Sequence, residues 1–264
     1  MNRIRLAATA GTALLIVACR QSLEPRSDAT MPPSSSAPVA AQPTPAGSGL
    51  EQQTATVQKR MQEHFAKAAD MKAAVIRGDL WSVERAAAWL ADDEWTPRLR
   101  PDWRPYMTAM QLAARTTKGI TNTAQAAQAL SRVGRACANC HESVGGPNVA
   151  VGVAPEDGAE GSTRLLRHGW AAERMWEGLT LISDEAWIRG ASVLSDATLE
   201  PLARKGEGNP ADARAQADAK ELASKVHEIG RIARAADVQQ RRALYADLLA
   251  TCSDCHAALG VVRH

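Results

Sequence analysis

The chain has 264 residues, 45% of them apolar, with 31 basic and 29 acidic side chains for a formal charge of +2. That length allows two domains of ordinary size, each able to bury its own core. The near-balance of charge, with no long run of one sign, argues against a nucleic-acid partner. Alanine abounds, while β-branched and aromatic residues are sparse and Trp is the only common aromatic. Ala, Leu, Arg, Glu and Gln lose little entropy in a helix, so the expected fold class is all-α.

In chain order, the first segment is a targeting sequence. Arg3 and Arg5 give a basic start, and Leu6 to Ala18 form an apolar stretch too short to span a bilayer. It ends Ile16-Val17-Ala18-Cys19. This resembles the bacterial lipoprotein cleavage box, in which the cysteine becomes the first mature residue and carries the lipid on its sulfur. The family prefers Leu where Ile16 stands; an ordinary secretory signal with an incidental Cys19 is the alternative. The resemblance implies a signal peptide over 1–18 and lipidation at Cys19. The protein would then be held on the periplasmic side of a bacterial membrane, with Arg20 favouring the outer one. From 19 to 49 the composition turns to Pro, Ser, Ala and Thr without apolar periodicity. Such a segment cannot bury enough surface to offset the entropy of ordering, so it reads as a disordered tether.

Two units follow, over 50–144 and 163–264, joined by a Gly- and Pro-rich linker over 145–162. In the first, Met61, Phe65, Ala68, Met71 and Val75 fall on one stripe of a helix from Glu51 to Arg77. Gly78 breaks it, and Asp79 is placed to cap a second helix through Leu90. Pro97, Pro101 and Pro105 mark a loop before a third helix from Tyr106 to Thr117, and Asn122 or Thr123 opens a fourth. The second unit reads as helices over Arg164–Leu181, Asp184–Leu194, Pro210–Ala235 and Val238–Leu259.

Each unit closes on the same pentapeptide pattern: Cys137-Ala138-Asn139-Cys140-His141 and Cys252-Ser253-Asp254-Cys255-His256. With five cysteines and six histidines in the chain, chance would give about 0.002 copies of Cys-x-x-Cys-His. On a helix the two cysteines and the following His share a face, so both thiols can bond haem vinyl groups while the imidazole reaches the iron. Cys137, Cys140, Cys252 and Cys255 are thus expected to hold two haem c groups, with His141 and His256 as proximal iron ligands. A thioredoxin-like pair would follow a strand within a βαβ pattern, and a zinc ribbon needs its cysteine pairs close in sequence; neither context is present.

Only eight residues follow His256, so the second unit lies almost wholly before its motif. Each unit resembles cytochrome c′ and its relatives, the class II c-type cytochromes, over about residues 50 to 145 and 160 to 260. The resemblance implies two tandem four-helix bundles, each with haem attached near the end of its fourth helix. The units also look duplicated: His64 to Met71 parallels His168 to Met175 with the same interval, and Asp79-Leu80-Trp81 answers Glu185-Ala186-Trp187. His64 and His168 lie on the first helix of each unit, which in such a bundle faces the fourth across the haem. They are expected to be the distal ligands, with Met71 and Met175 as rivals that more often serve as core. Cytochrome c′ itself usually leaves the iron five-coordinate. His227 and His264 read as packed or solvated, and the seven tryptophans as packing.

No protein nucleophile or acid–base constellation stands out, so the chain is not expected to be an enzyme. The expected role is electron transfer between redox-partner proteins. A gas-binding protein for nitric oxide or carbon monoxide is the first alternative and a dihaem peroxidase the second.

Overall fold

The computed structural model describes residues 47–156, 161–196 and 210–260. The expectations for the signal peptide, Cys19, most of the tether and His264 therefore lie outside the described residues. Among the described residues the fold is all-α, with no strand.

Eight helices run α1 (Gly47–Arg77), α2 (Leu80–Ala91), α3 (Arg104–Arg115), α4 (Thr123–Val144), α5 (Gly161–Thr180), α6 (Asp184–Asp196), α7 (Pro210–Ala233) and α8 (Val238–Ala258). Their starts follow capping chemistry legible in the sequence. The Asp79 carboxylate accepts from Ser82 N–H at 3.0 Å, and the Asn122 side chain accepts from Gln125 N–H at 2.9 Å. Asp237 and Gln240 form a reciprocal capping box. The third helix starts earlier than its prolines suggest. Pro105 stands in its first turn, where a missing N–H costs nothing, rather than in the loop before it. α1 is already helical at Gly47, within the last residues of the stretch read as a tether.

Packing follows chain order within each half and then crosses between them. α1 packs on α2, α2 on α3, α3 on α4, and α4 also touches α1; α5 to α8 repeat the same circuit. The most extensive contact between halves is α4 against α8, flanked by α1 on α8 and α5 on α4. One apolar cluster runs through both halves, including Met71, Val83, Leu90 and Leu130 from the first and Met175, Trp176, Trp187 and Tyr245 from the second. Gly47–His264 accordingly forms one compact unit. Close helix approach depends on small residues: a Cβ on Gly190 would lie 2.5 Å from the Ala171 carbonyl, so α6 meets α5 nearly backbone to backbone. An ion pair also joins the halves, the buried Lys72 of α1 with the exposed Glu173 of α5; Lys72 is only 4% exposed.

No helix among the described residues is long and apolar enough to cross a membrane.

Candidate functional site

The two Cys-x-x-Cys-His motifs occupy the last turns of α4 and α8, and these two helices set where they lie. Gly78, just past the end of α1, approaches both Thr123 at the start of α4 and Ser253 inside the second motif: its Cβ position is 3.8 Å from the Thr123 methyl and 3.7 Å from the Ser253 hydroxyl. The start of α4 is therefore beside the end of α8, and the packed pair is antiparallel. Cys137 to His141 lie 14 to 18 residues beyond Thr123, so the motifs stand at opposite ends, about 21 to 27 Å apart along the axis at 1.5 Å per residue.

All four motif cysteines are unpaired. Burial, with Cys140 nearby, pushes the Cys137 thiol up to about 12, and burial with Cys255 nearby does the same for Cys252. Cys140 and Cys255 are also raised by burial. Burial thus disfavours the thiolate form at all four positions. Among the described residues, no group of three or more His, Cys, Asp and Glu side chains is gathered so as to hold a bare metal ion.

His141 is clamped. Its Nδ1 lies 2.8 Å from the carbonyl oxygen of Thr180, at the end of α5 in the other half of the chain. A carbonyl can only accept, so Nδ1 carries the proton and Nε2 keeps the lone pair that a metal needs. Gly145, at φ +84°, turns the chain back after α4, and Gly146 then lies against the imidazole. A Cβ on Gly146 would come within 2.8 Å of the His141 Cβ. His256 makes no such hydrogen bond among the described residues, and burial lowers its pKa below the ordinary imidazole value.

Near the first motif, packed against Gly134 of α4, Nε1 of the fully buried Trp176 is a donor with no partner among the described residues. Unpartnered donors in a buried site suit an anionic group such as a haem propionate. Two buried thiols, an imidazole whose Nδ1–H is held by a carbonyl and an unpartnered indole N–H form a donor set that would suit haem c at the first motif. The second motif offers the same thiols and imidazole.

The expected distal residues share a level with the motifs. Fourteen residues back along α1 from Gly78 is His64, and fourteen forward along α4 from Thr123 is Cys137, so His64 and Cys137 lie at about the same height on antiparallel helices. In the second half Tyr245 Oη donates to the Ala172 carbonyl at 3.2 Å, and one turn farther along each helix are His168 on α5 and Leu249 on α8. His168 is thus within a turn of Cys252 in height and is half-buried.

The side chain of His64 is engaged elsewhere. Its Nε2 is 2.6 Å from Asp93 Oδ2, its ring meets Trp89 edge-on at 5.6 Å, and Arg60 bonds Asp93 from the other side while lying 4.7 Å over the Trp89 ring. Asp93 is 1% exposed. Burial by itself would raise its pKa, but the hydrogen bonds from Arg60 and His64 outweigh that and hold it below the usual carboxylate range. Burial lowers His64, with the Asp93 bond working against it. Donation from Nε2 to Asp93 leaves the neutral lone pair of His64 on Nδ1. A cleft of about 770 Å³ opens beside this cluster, lined by Arg60, Trp89, Asp93, Trp95 and Arg98 among others. None of the motif residues lines it.

The rival ligands Met71 and Met175 are fully buried in the shared core. His227 Nδ1–H donates to the Ser195 carbonyl at 3.2 Å. Of the tryptophans, Trp176 and Trp187 are fully buried, whereas Trp81 is 67% exposed. Sequence reasoning missed Asp93, Thr180 and Gly146. Only Gly146, within a Gly-Gly-Pro run, carried a local signal, that of a turn.

Compared with known protein families, with characterised proteins and with solved structures, the chain shows no significant match.

Proposed function

We propose that the chain is a dihaem c-type cytochrome built as two tandem four-helix bundles and related to the class II cytochromes. It would be tethered outside the cytoplasm through a lipid on Cys19 and transfer electrons between redox-partner proteins. The observation that carries the reading is the doubled Cys-x-x-Cys-His motif in the last turns of α4 and α8, with all four thiols raised by burial.

Haem iron, cycling between ferrous and ferric states, supplies one electron per site. The chain's own residues do the rest. Cys137, Cys140, Cys252 and Cys255 fix the groups as thioethers, so neither is lost on reduction. His141, its Nδ1–H held by the Thr180 carbonyl, would offer Nε2 to the first iron, and His256 would offer its imidazole to the second. His64 and His168, on the first helix of each half, would serve as distal ligands, keeping each iron six-coordinate and limiting rearrangement on electron transfer.

One feature of the first half favours a second reading there. His64 could reach an iron through Nε2 only by releasing Asp93, and with that bond kept the first iron would have an open position for nitric oxide or carbon monoxide.

Mass and the optical and EPR spectra of the mature holoprotein decide between these readings. The carrier predicts two covalent haems, both low-spin at rest, with His64→Ala and His168→Ala each converting one haem to high-spin. A high-spin first haem that takes up nitric oxide in the wild type moves that half to the second reading. A polypeptide of bare-chain mass with no visible absorbance, from a host competent in haem attachment, overturns both.

A further inference from the structure

We infer that the first haem site is completed by the other half of the chain: the Thr180 carbonyl on α5 is the positioning group that orients His141 and sets its donor strength. This rests on the haem reading of the motif.

Thr180 is the last residue of α5, so its carbonyl is one of those that a helix end leaves without an intrahelical partner, and it carries the negative end of the helix dipole. His141 Nδ1–H fills that vacancy at 2.8 Å. The acceptor is held firmly: Thr180 is 1% exposed, and its hydroxyl donates to the Trp176 carbonyl at 2.9 Å. α5 is also pressed directly on α4. A Cβ on Gly134 would lie 2.8 Å from Trp176 Cζ3 and 3.2 Å from Leu179 Cδ2, so glycine at 134 sets the distance at which the Thr180 carbonyl meets the imidazole. With Gly146 behind the ring, His141 is fixed in tautomer and orientation.

A hydrogen bond from Nδ1–H to a carbonyl raises the basicity of the opposite nitrogen. A more basic ligand stabilises ferric over ferrous iron, so the first site has the lower reduction potential. The second motif, identical in its Cys and His, lacks this bond among the described residues and has the higher one. Electrons accumulate at the α8 site before the α4 site.

The test uses the holoprotein in three forms: wild type, Gly134→Ala and Gly134→Ala/Trp176→Phe. The added methyl pushes α5 outward, and the Phe ring removes the two nearest atoms that the methyl meets, Trp176 Cζ3 and Cη2, leaving the looser contact with Leu179 Cδ2. In the wild type, redox titration resolves two potentials, and proton NMR shows one proximal imidazole N–H exchanging slowly with solvent and one rapidly. Gly134→Ala raises the lower potential towards the upper one, leaves the upper unchanged and speeds exchange of the slow proton; the double variant restores slow exchange, a readout that loss of the Trp176 indole N–H does not itself move. Should Gly134→Ala fail to fold, the wild-type measurements decide alone. Two equal potentials with both protons exchanging rapidly overturn the inference, as does a folded Gly134→Ala protein with unchanged potentials and exchange. A wild type without covalent haem overturns the functional reading itself.

Discussion

The two motif sites share five positions of pattern but not their surroundings. At the first, His141 is hydrogen-bonded to a carbonyl from α5 and backed by Gly146. At the second, His256 is lowered by burial and lies near the chain end, with Gly78 of α1 behind Ser253. The facing helices differ too. His64 is tied into a cluster with Asp93, Arg60 and Trp89. A duplicated motif can thus give two unlike sites, because the groups that tune a ligand belong to its neighbours.

Removing one site at a time breaks this comparison most sharply. Replacing Cys137 and Cys140 by Ala is expected to halve the visible absorbance per protein and leave one covalent haem by mass, and replacing Cys252 and Cys255 to do the same. The two single-haem proteins should then differ in potential, with the one retaining the first motif lower. Equal potentials would mean that the surroundings do not matter.

Asp93 comes next. Asp93→Ala leaves a buried imidazole and the Arg60 guanidinium without their carboxylate, and should cost about 3–5 kcal/mol in chemical denaturation. Glu228→Ala in the second half removes a fully exposed partner of Arg231 and should leave the denaturation midpoint unchanged within error.

The smallest effect concerns the seam between halves. Burial lowers the pKa of Lys72, and the charge of Glu173 only partly offsets it. Between the folded pKa and the unfolded 10.5 the unfolded chain binds more protons, so stability rises with pH across that window. Lys72→Met should be neutral or stabilising by about 1 kcal/mol at pH 7, and should abolish the rise. Burial also raises Tyr245 well above its usual 10, which costs stability above about pH 10 as the unfolded phenol ionises. Denaturation between pH 7 and 11 separates the two: wild type should rise and then fall, whereas Lys72→Met should only fall.

Much of the fold was legible because its cues are local. Asp79 and Asn122 announce helix starts through side chains that satisfy orphan N–H groups a few residues on. The stripe through Met71 and Val75 announces a buried face, and both residues are fully buried. Pro105 was less legible, since proline marks both a loop and a first helical turn. At the candidate site, the Cys-x-x-Cys-His spacing put two thiols and an imidazole on one helical face. Asp93 and Thr180 were invisible in advance: one lies 29 residues from His64, the other 39 from His141, and neither falls in a recognisable pattern.

The sequence by itself determined the helices, their caps and the chemistry of the two pentapeptides, since each depends on residues within a turn or two of one another. Tertiary structure alone decided that α4 and α8 run antiparallel, that the motifs lie at opposite ends of that pair, and that a carbonyl of the second half holds a histidine of the first. Those outcomes rest on side-chain volume and hydrogen bonding between helices far apart in the chain, where a glycine at 134 counts for as much as any charged residue.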